Sequence, residues 1–143
     1  MSARHSWPRR SLLITPGDRP ERIGKAATSQ ADGVVIDLED GVAPGAKPEA
    51  RGNMRRALTS IDFGRRERIV RINAMASSES GADIAALPIA AVDTIFLPKV
   101  EARAEIERLE AALARLEREA RRSAPVEIIA TVASAGKGKR GDY

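Results

Sequence analysis

Gly33-Val-Val-Ile-Asp-Leu-Glu-Asp40 sets three consecutive aliphatic residues directly before a run rich in acids. A strand that is apolar on successive residues is buried on both faces, as in a parallel sheet. The acids that follow then mark the carboxyl end of the strand, the side on which α/β folds hold their ligands. Side chains alternate along a strand, so Asp37 and Glu39 share one face, and Ile36 and Leu38 the other. Two carboxylates on one face repel, which raises the pKa of at least one unless a cation relieves them.

The same pattern recurs on either side. Ser11-Leu-Leu-Ile-Thr15 is a strand closed by Pro16-Gly17-Asp18. Asp18 is placed to cap a helix with Pro20 in its first turn and Ile23, Ala26 and Ala27 on its apolar face. Pro48 to Leu58 reads as a second helix, with Ala50, Met54 and Leu58 at fourfold spacing. Arg68-Ile-Val-Arg-Ile-Asn73 is a third strand. A short helix over 81–91 is distorted near its end by Pro88. Thr94-Ile-Phe-Leu-Pro-Lys99 is a fourth strand. Glu101 to Arg122 carries Ile106, Leu109, Leu113, Leu116 and Ala120 on one helical face, with Glu105/Arg108 and Glu117/Arg121 placed to pair outside it. Val126 to Val132 is a fifth strand. Strands alternating with helices predict an α/β fold with a parallel sheet.

The chain has 143 residues, 43% hydrophobic and 31% charged, enough for one domain with a real core. It has no Cys, which excludes disulfides and thiolate metal sites. No apolar run approaches the roughly 18 residues of a membrane span, and MSARHSWPRRSLLI lacks the features of a signal peptide. The expected compartment is the cytoplasm, with no membrane partner. The net charge of +4 concentrates in a basic tail over 1–10 and a Gly/Lys/Arg-rich tail over 133–143, leaving the 11–132 domain slightly acidic. Aromatics make up only 3%. A nucleic-acid binder would carry a basic stripe within the fold, interleaved with aromatics, so no nucleic-acid partner is expected.

The strand ends hold the candidate chemistry: Thr15-Pro-Gly-Asp18, Asp37 to Asp40, Arg71-Ile-Asn73 and Pro98-Lys99. Arg71 can clamp a carboxylate bidentately, while the acids orient a cation or a substrate. The same residues can equally form a structural ion-pair network at the rim. His5 is the only histidine, which excludes a His-based triad or zinc site within this chain. Gly17, Gly41 and Gly45 form no dinucleotide or P-loop fingerprint. Trp7 and Met54 read as packing residues.

In their order, Ser11-Leu-Leu-Ile-Thr-Pro-Gly-Asp-Arg-Pro-Glu-Arg22, Val35-Ile-Asp-Leu-Glu-Asp-Gly-Val-Ala-Pro44, Lys47, Arg68 to Asn73 and Ile95-Phe-Leu-Pro-Lys-Val-Glu101 resemble the citrate lyase beta-subunit-like family of the HpcH/HpaI aldolases. The resemblance covers about residues 10–132. It implies a (β/α)8 TIM barrel and a carbon–carbon lyase acting beside a thioester, as in citryl-CoA or malyl-CoA. A Mg²⁺ ion would chelate the 2-oxo acid, and the acyl-CoA part would pass through an enolate. The partners would be a CoA thioester and a 2-oxo acid, in a homo-oligomer. By resemblance Arg71 and Glu39 are the catalytic candidates. Arg71, Asn73, Lys99 and Arg19 are the substrate-binding candidates, Lys99 and Arg19 nearer the rim and the CoA phosphates. Glu39 and Asp40 would lie beside the metal or its waters.

Two departures qualify what the resemblance implies. The family's metal-ligand Glu follows the fifth strand, where this chain has Ala133, and its second ligand lies beyond residue 143. A full barrel takes roughly 250 residues. The expectation is a partial TIM barrel of about five parallel strands, truncated and impaired in metal binding and catalysis. The alternatives are a non-catalytic partial barrel that assembles with another chain, and a flavodoxin-like five-stranded domain.

Overall fold

A computed structural model describes residues 8–132; the expectations placed on His5, Trp7, Ala133 and the two tails beyond those limits lie outside the described residues. Five strands form one parallel sheet: β1 (Leu12–Pro16), β2 (Gly33–Asp37), β3 (Glu67–Arg71), β4 (Thr94–Val100) and β5 (Glu127–Val132). Between them run α1 (Pro20–Ala26), α2 (Lys47–Ser60), α3 (Ser80–Ala86) and α4 (Arg103–Glu119). The strands lie side by side in chain order. Right-handed crossovers that always step in one direction place every helix on the same face of the sheet. That is the winding of a barrel, and it excludes the flavodoxin-like alternative, whose strand order reverses at its switch point.

One core lies between sheet and helices. Val34, Ile36, Leu38, Val70, Ile72, Ile95 and Leu97 meet Ile23, Met54, Leu58, Leu109 and Leu113 there. Val35 and Ile69 are fully buried outside that cluster, on the opposite face, which also bears Asp37 and Arg71. Thus β2 is buried on both faces along its whole length.

Several element ends differ from expectation, each for a local reason. β2 stops at Asp37 because the Asp37 carboxylate accepts the main-chain N–H groups of Glu39 and Gly41, turning the chain out of the ladder. Asp18 does not cap α1; Arg19 holds that position without a side-chain cap, and Pro20 starts the helix. Pro88 closes the α3 region into a single 3-10 turn over Ile89–Ala91, as its missing N–H dictates. On α4, Glu105 accepts from the backbone N–H of Glu101 and Ala102, and Glu117 from that of Val126; Arg108 acts on Glu105 through charge alone, and neither expected pair closes into a salt bridge among the described residues. The pairs present are Arg103–Glu107 and Arg115–Glu119.

The amino ends of the strands are tied by arginines from the predicted basic tail. Arg9 donates to Glu67 at 2.6 and 2.8 Å and also reaches Glu127, while Thr94 donates to Glu67. Arg10 forks onto Asp32 at 3.0 and 3.1 Å. The carboxyl ends of the strands, where α/β folds hold their ligands, lie at the other end of the sheet.

Candidate functional site

The carboxyl ends of β2, β3 and β4 bring Asp37, Glu39, Asp40, Arg71 and Lys99 into one cluster. The registers Asp37↔Arg71 and Arg71↔Phe96 set the strand tips level. Arg71 donates from Nε to Asp37 Oδ1 at 2.8 Å and from Nη2 to Oδ2 at 2.7 Å. Glu39 Oε1 lies 3.6 Å from Arg71 Nε, and Glu39 Oε2 lies 2.9 Å from Lys99 Nζ. Asp40 Oδ1 accepts from the same ammonium at 3.3 Å. Lys99 follows Pro98 at a break in the β4–β5 register and has φ +54°, a left-handed backbone that side-chain-bearing residues seldom adopt.

Burial pushes the Asp37 carboxyl up. The Arg71 guanidinium and the amides of Glu39 and Gly41 outweigh it and leave Asp37 below the usual aspartate range. Asp37 thus meets the condition attached to the crowding expectation, since a cation, Arg71, relieves it. The hydrogen bonds that Lys99 donates to Glu39 and Asp40 likewise hold its ammonium above its ordinary range.

Asn73 sits at the same end, but its amide is committed to the protein. Its Nδ2 donates to the Leu38 carbonyl at 2.9 Å and to Asp83 Oδ2 at 2.6 Å, and its Oδ1 accepts from Lys47 Nζ at 2.9 Å. Lys47 also donates to the carbonyls of Leu38 and Glu39 at 2.9 and 3.0 Å. Asp83, fully buried, accepts from Arg51 Nε at 2.8 Å. Arg19 lies in the β1–α1 connection at the same end of the sheet, exposed and without an ion pair among the described residues.

Sequence reasoning gave no role to the supporting layer of Lys47, Asp83 and Arg51. Lys47 and Arg51 lie one helical turn apart at the start of α2, where cations usually face solvent. The sequence signals were that Lys47 follows the acid-rich turn by a few residues and stands among the residues that carry the family resemblance.

A shallow cavity of about 380 Å³ opens between Glu39, Asp40, Lys47, Ser77 and Lys99. The described residues do not by themselves fit a metal ion. No group of three His, Cys, Asp or Glu side chains among them is arranged to hold one. Asp37 is spent on Arg71, and Lys99 already stands between Glu39 and Asp40.

The chain is similar to several known proteins. The chain is 38% identical over 109 residues to a (3S)-malyl-CoA thioesterase from Cereibacter sphaeroides, covering 76% of this chain and 38% of that protein. The citrate lyase beta subunit from M. tuberculosis, solved with oxaloacetate and magnesium, superposes with a TM-score of 0.67 at 38% identity, over 94% of this chain and 51% of that one. The M. tuberculosis protein CitE with magnesium, acetoacetate and coenzyme A gives a TM-score of 0.62 at 39% identity, over 85% of this chain and 38% of that one. The chain spans about two fifths of the length of the curated relatives it matches. The family model for HpcH/HpaI aldolase/citrate lyase matches residues 10–137, and the chain belongs to that family.

Proposed function

We propose that this chain carries the oxo-acid-holding part of a magnesium-dependent carbon–carbon lyase site of the citryl-CoA or malyl-CoA type. The observation that carries the reading is Arg71. Its guanidinium stands at the carboxyl end of the sheet, and its Nη1 has no hydrogen-bond partner among the described residues. A guanidinium in that state suits the planar carboxylate of a 2-oxo acid. The relatives solved with oxaloacetate, acetoacetate, coenzyme A and magnesium support the ligand class.

In this reading Arg71 binds and orients the oxo-acid carboxylate, and Glu39 with Asp40 supplies acceptors beside it. Lys99 and Arg19 offer positive charge at the rim for CoA phosphates. Asn73 and Lys47 hold the β2 and β3 exits in place. Bound magnesium would supply Lewis acidity at the substrate carbonyl. Its direct ligands are not among the described residues, so the chain alone is expected to bind the ion weakly and to turn over little substrate. Calorimetric titration of the purified chain with pyruvate tests the reading. Binding that is lost in Arg71→Ala, with negligible cleavage of malyl-CoA, supports it. Pyruvate affinity unchanged by that substitution overturns it, and brisk cleavage abolished by Arg71→Ala refutes the impairment.

A second reading, a partial barrel that assembles with another chain, draws on a specific observation. Leu13 and Ile14 on β1 are 41% and 49% exposed, and Val132 on β5 is 78% exposed, all on strands at the two sides of the sheet. Unpaired strand edges with apolar side chains favour pairing with a second copy. Light scattering after size exclusion decides it: a monomer at micromolar concentration removes this reading.

A further inference from the structure

Asp37 carries four hydrogen bonds on two oxygens. Arg71 Nε and Nη2 donate at 2.8 and 2.7 Å, the Glu39 amide at 2.9 Å and the Gly41 amide at 2.8 Å. An ionised carboxylate offers about four lone-pair sites, so this one is saturated. It is 1% exposed, and a side chain on Gly41 would bring its Cβ to 2.5 Å from Asp37 Oδ2. Asp37 therefore has no capacity left for substrate, cation or proton transfer. Its position nevertheless governs Arg71.

We propose that Asp37 is the positioning residue of the cluster. By gripping the Nε/Nη2 edge of Arg71 it leaves the Nη1/Nη2 edge as the face on which a ligand carboxylate docks. The inference rests on the reading of Arg71 as the oxo-acid clamp and specifies how that clamp is aimed.

The guanidinium is planar and rigid, so fixing one edge fixes the whole plane. Two parallel hydrogen bonds, both of ordinary charge-assisted length, do so here. Glu39 does not compete for the open edge. Its nearer oxygen lies 3.6 Å from Nε, on the edge Asp37 already holds, and its other oxygen is drawn 2.9 Å to Lys99. Asp37 also cancels one unit of positive charge. Recognition at the open edge then depends on direction rather than on net attraction, which favours a flat carboxylate that can take two parallel bonds.

Nitrogen-15 NMR of the Arg71 side chain in the full chain, assigned through Arg71→Lys, tests this with pyruvate as the probe. In the unsubstituted protein the Nε–H signal is expected to be protected from solvent exchange. Added pyruvate should shift the Nη signals and leave Nε–H in place. In Asp37→Asn that protection should vanish, and pyruvate affinity should fall by about tenfold or more, the loss of an aimed charge-assisted contact. An unprotected Nε–H, a shift of Nε–H on binding, or unchanged affinity in Asp37→Asn overturns the proposal. If Asp37→Asn does not fold, the titration of the unsubstituted protein decides. If pyruvate does not bind at all, the oxo-acid reading fails, and protection of Nε–H with its loss in Asp37→Asn still judges the positioning by itself.

Discussion

The Lys47 ammonium and the Asn73 side-chain carbonyl meet at 2.9 Å, and the same nitrogen holds the main-chain carbonyls of Leu38 and Glu39. One cation from α2 thereby joins the chain leaving β2 to the chain leaving β3. Its three protons match its three acceptors, which is how a buried ammonium is tolerated. Lys47→Met leaves the buried Asn73 side-chain carbonyl without a donor, while the Leu38 and Glu39 carbonyls keep those from Asn73 Nδ2 and the Val42 amide. It is expected to lower unfolding free energy by about 1–3 kcal/mol, read from urea denaturation. Lys47→Arg should not restore it, because a planar fork cannot place three donors on the same three oxygens.

Gly41→Ala tests how tightly the β2 exit is closed. The added methyl would approach Asp37 Oδ2 to 2.5 Å, and Asp37 is pinned by Arg71 and cannot swing away without losing that pair. A cost of about 1–3 kcal/mol is expected, typical of strain in a packed region. Equal stability of Gly41→Ala and the unsubstituted protein in chemical denaturation would show that the exit relaxes freely.

Gly24→Ala is the contrasting case. Gly24 lies inside α1, and a Cβ there meets nothing within 4 Å. Alanine is favoured over glycine in a helix interior by roughly 0.5–1 kcal/mol. The variant should therefore melt at a higher temperature in a calorimetric scan.

The Arg10–Asp32 pair predicts a pH signature. The side-chain and main-chain hydrogen bonds of Arg10 hold the Asp32 carboxyl at about 2, against an ordinary 3.8. The folded pKa is the lower one, so the pair stabilises fully above the ordinary value and its contribution fades as pH falls toward 2. The stability difference between the unsubstituted protein and Asp32→Asn should be constant near neutrality and shrink below about pH 4. A difference that grows on acidification would contradict the assignment. The pair is solvent-exposed, so high salt should also reduce it.

The elements were legible where local patterning and tertiary packing agreed. The aliphatic run over 34–36 reads as a strand buried on both faces, and Val35 and Ile36 are fully buried on opposite sides of β2. The face shared by Asp37 and Glu39 followed from strand alternation, and both acids do approach Arg71. The far partners were not legible. Asp83 lies ten residues from Asn73 and 32 from Arg51, and nothing in local spacing says that an acid on α3 will sit beneath both. The same holds for Arg9, whose partners Glu67 and Glu127 are remote in the chain. Charge composition alone placed Arg9 in a tail, whereas folding uses it to tie β3 to β5.

Because the strands lie in the order in which they are made, each new ladder forms on an edge that is already complete. A strand–helix unit can be gained or lost beside β5 without rethreading anything between β1 and β4. Growth of such a sheet is additive, and a gene encoding it tolerates lengthening or shortening at one side far better than a gene whose strands insert between earlier ones.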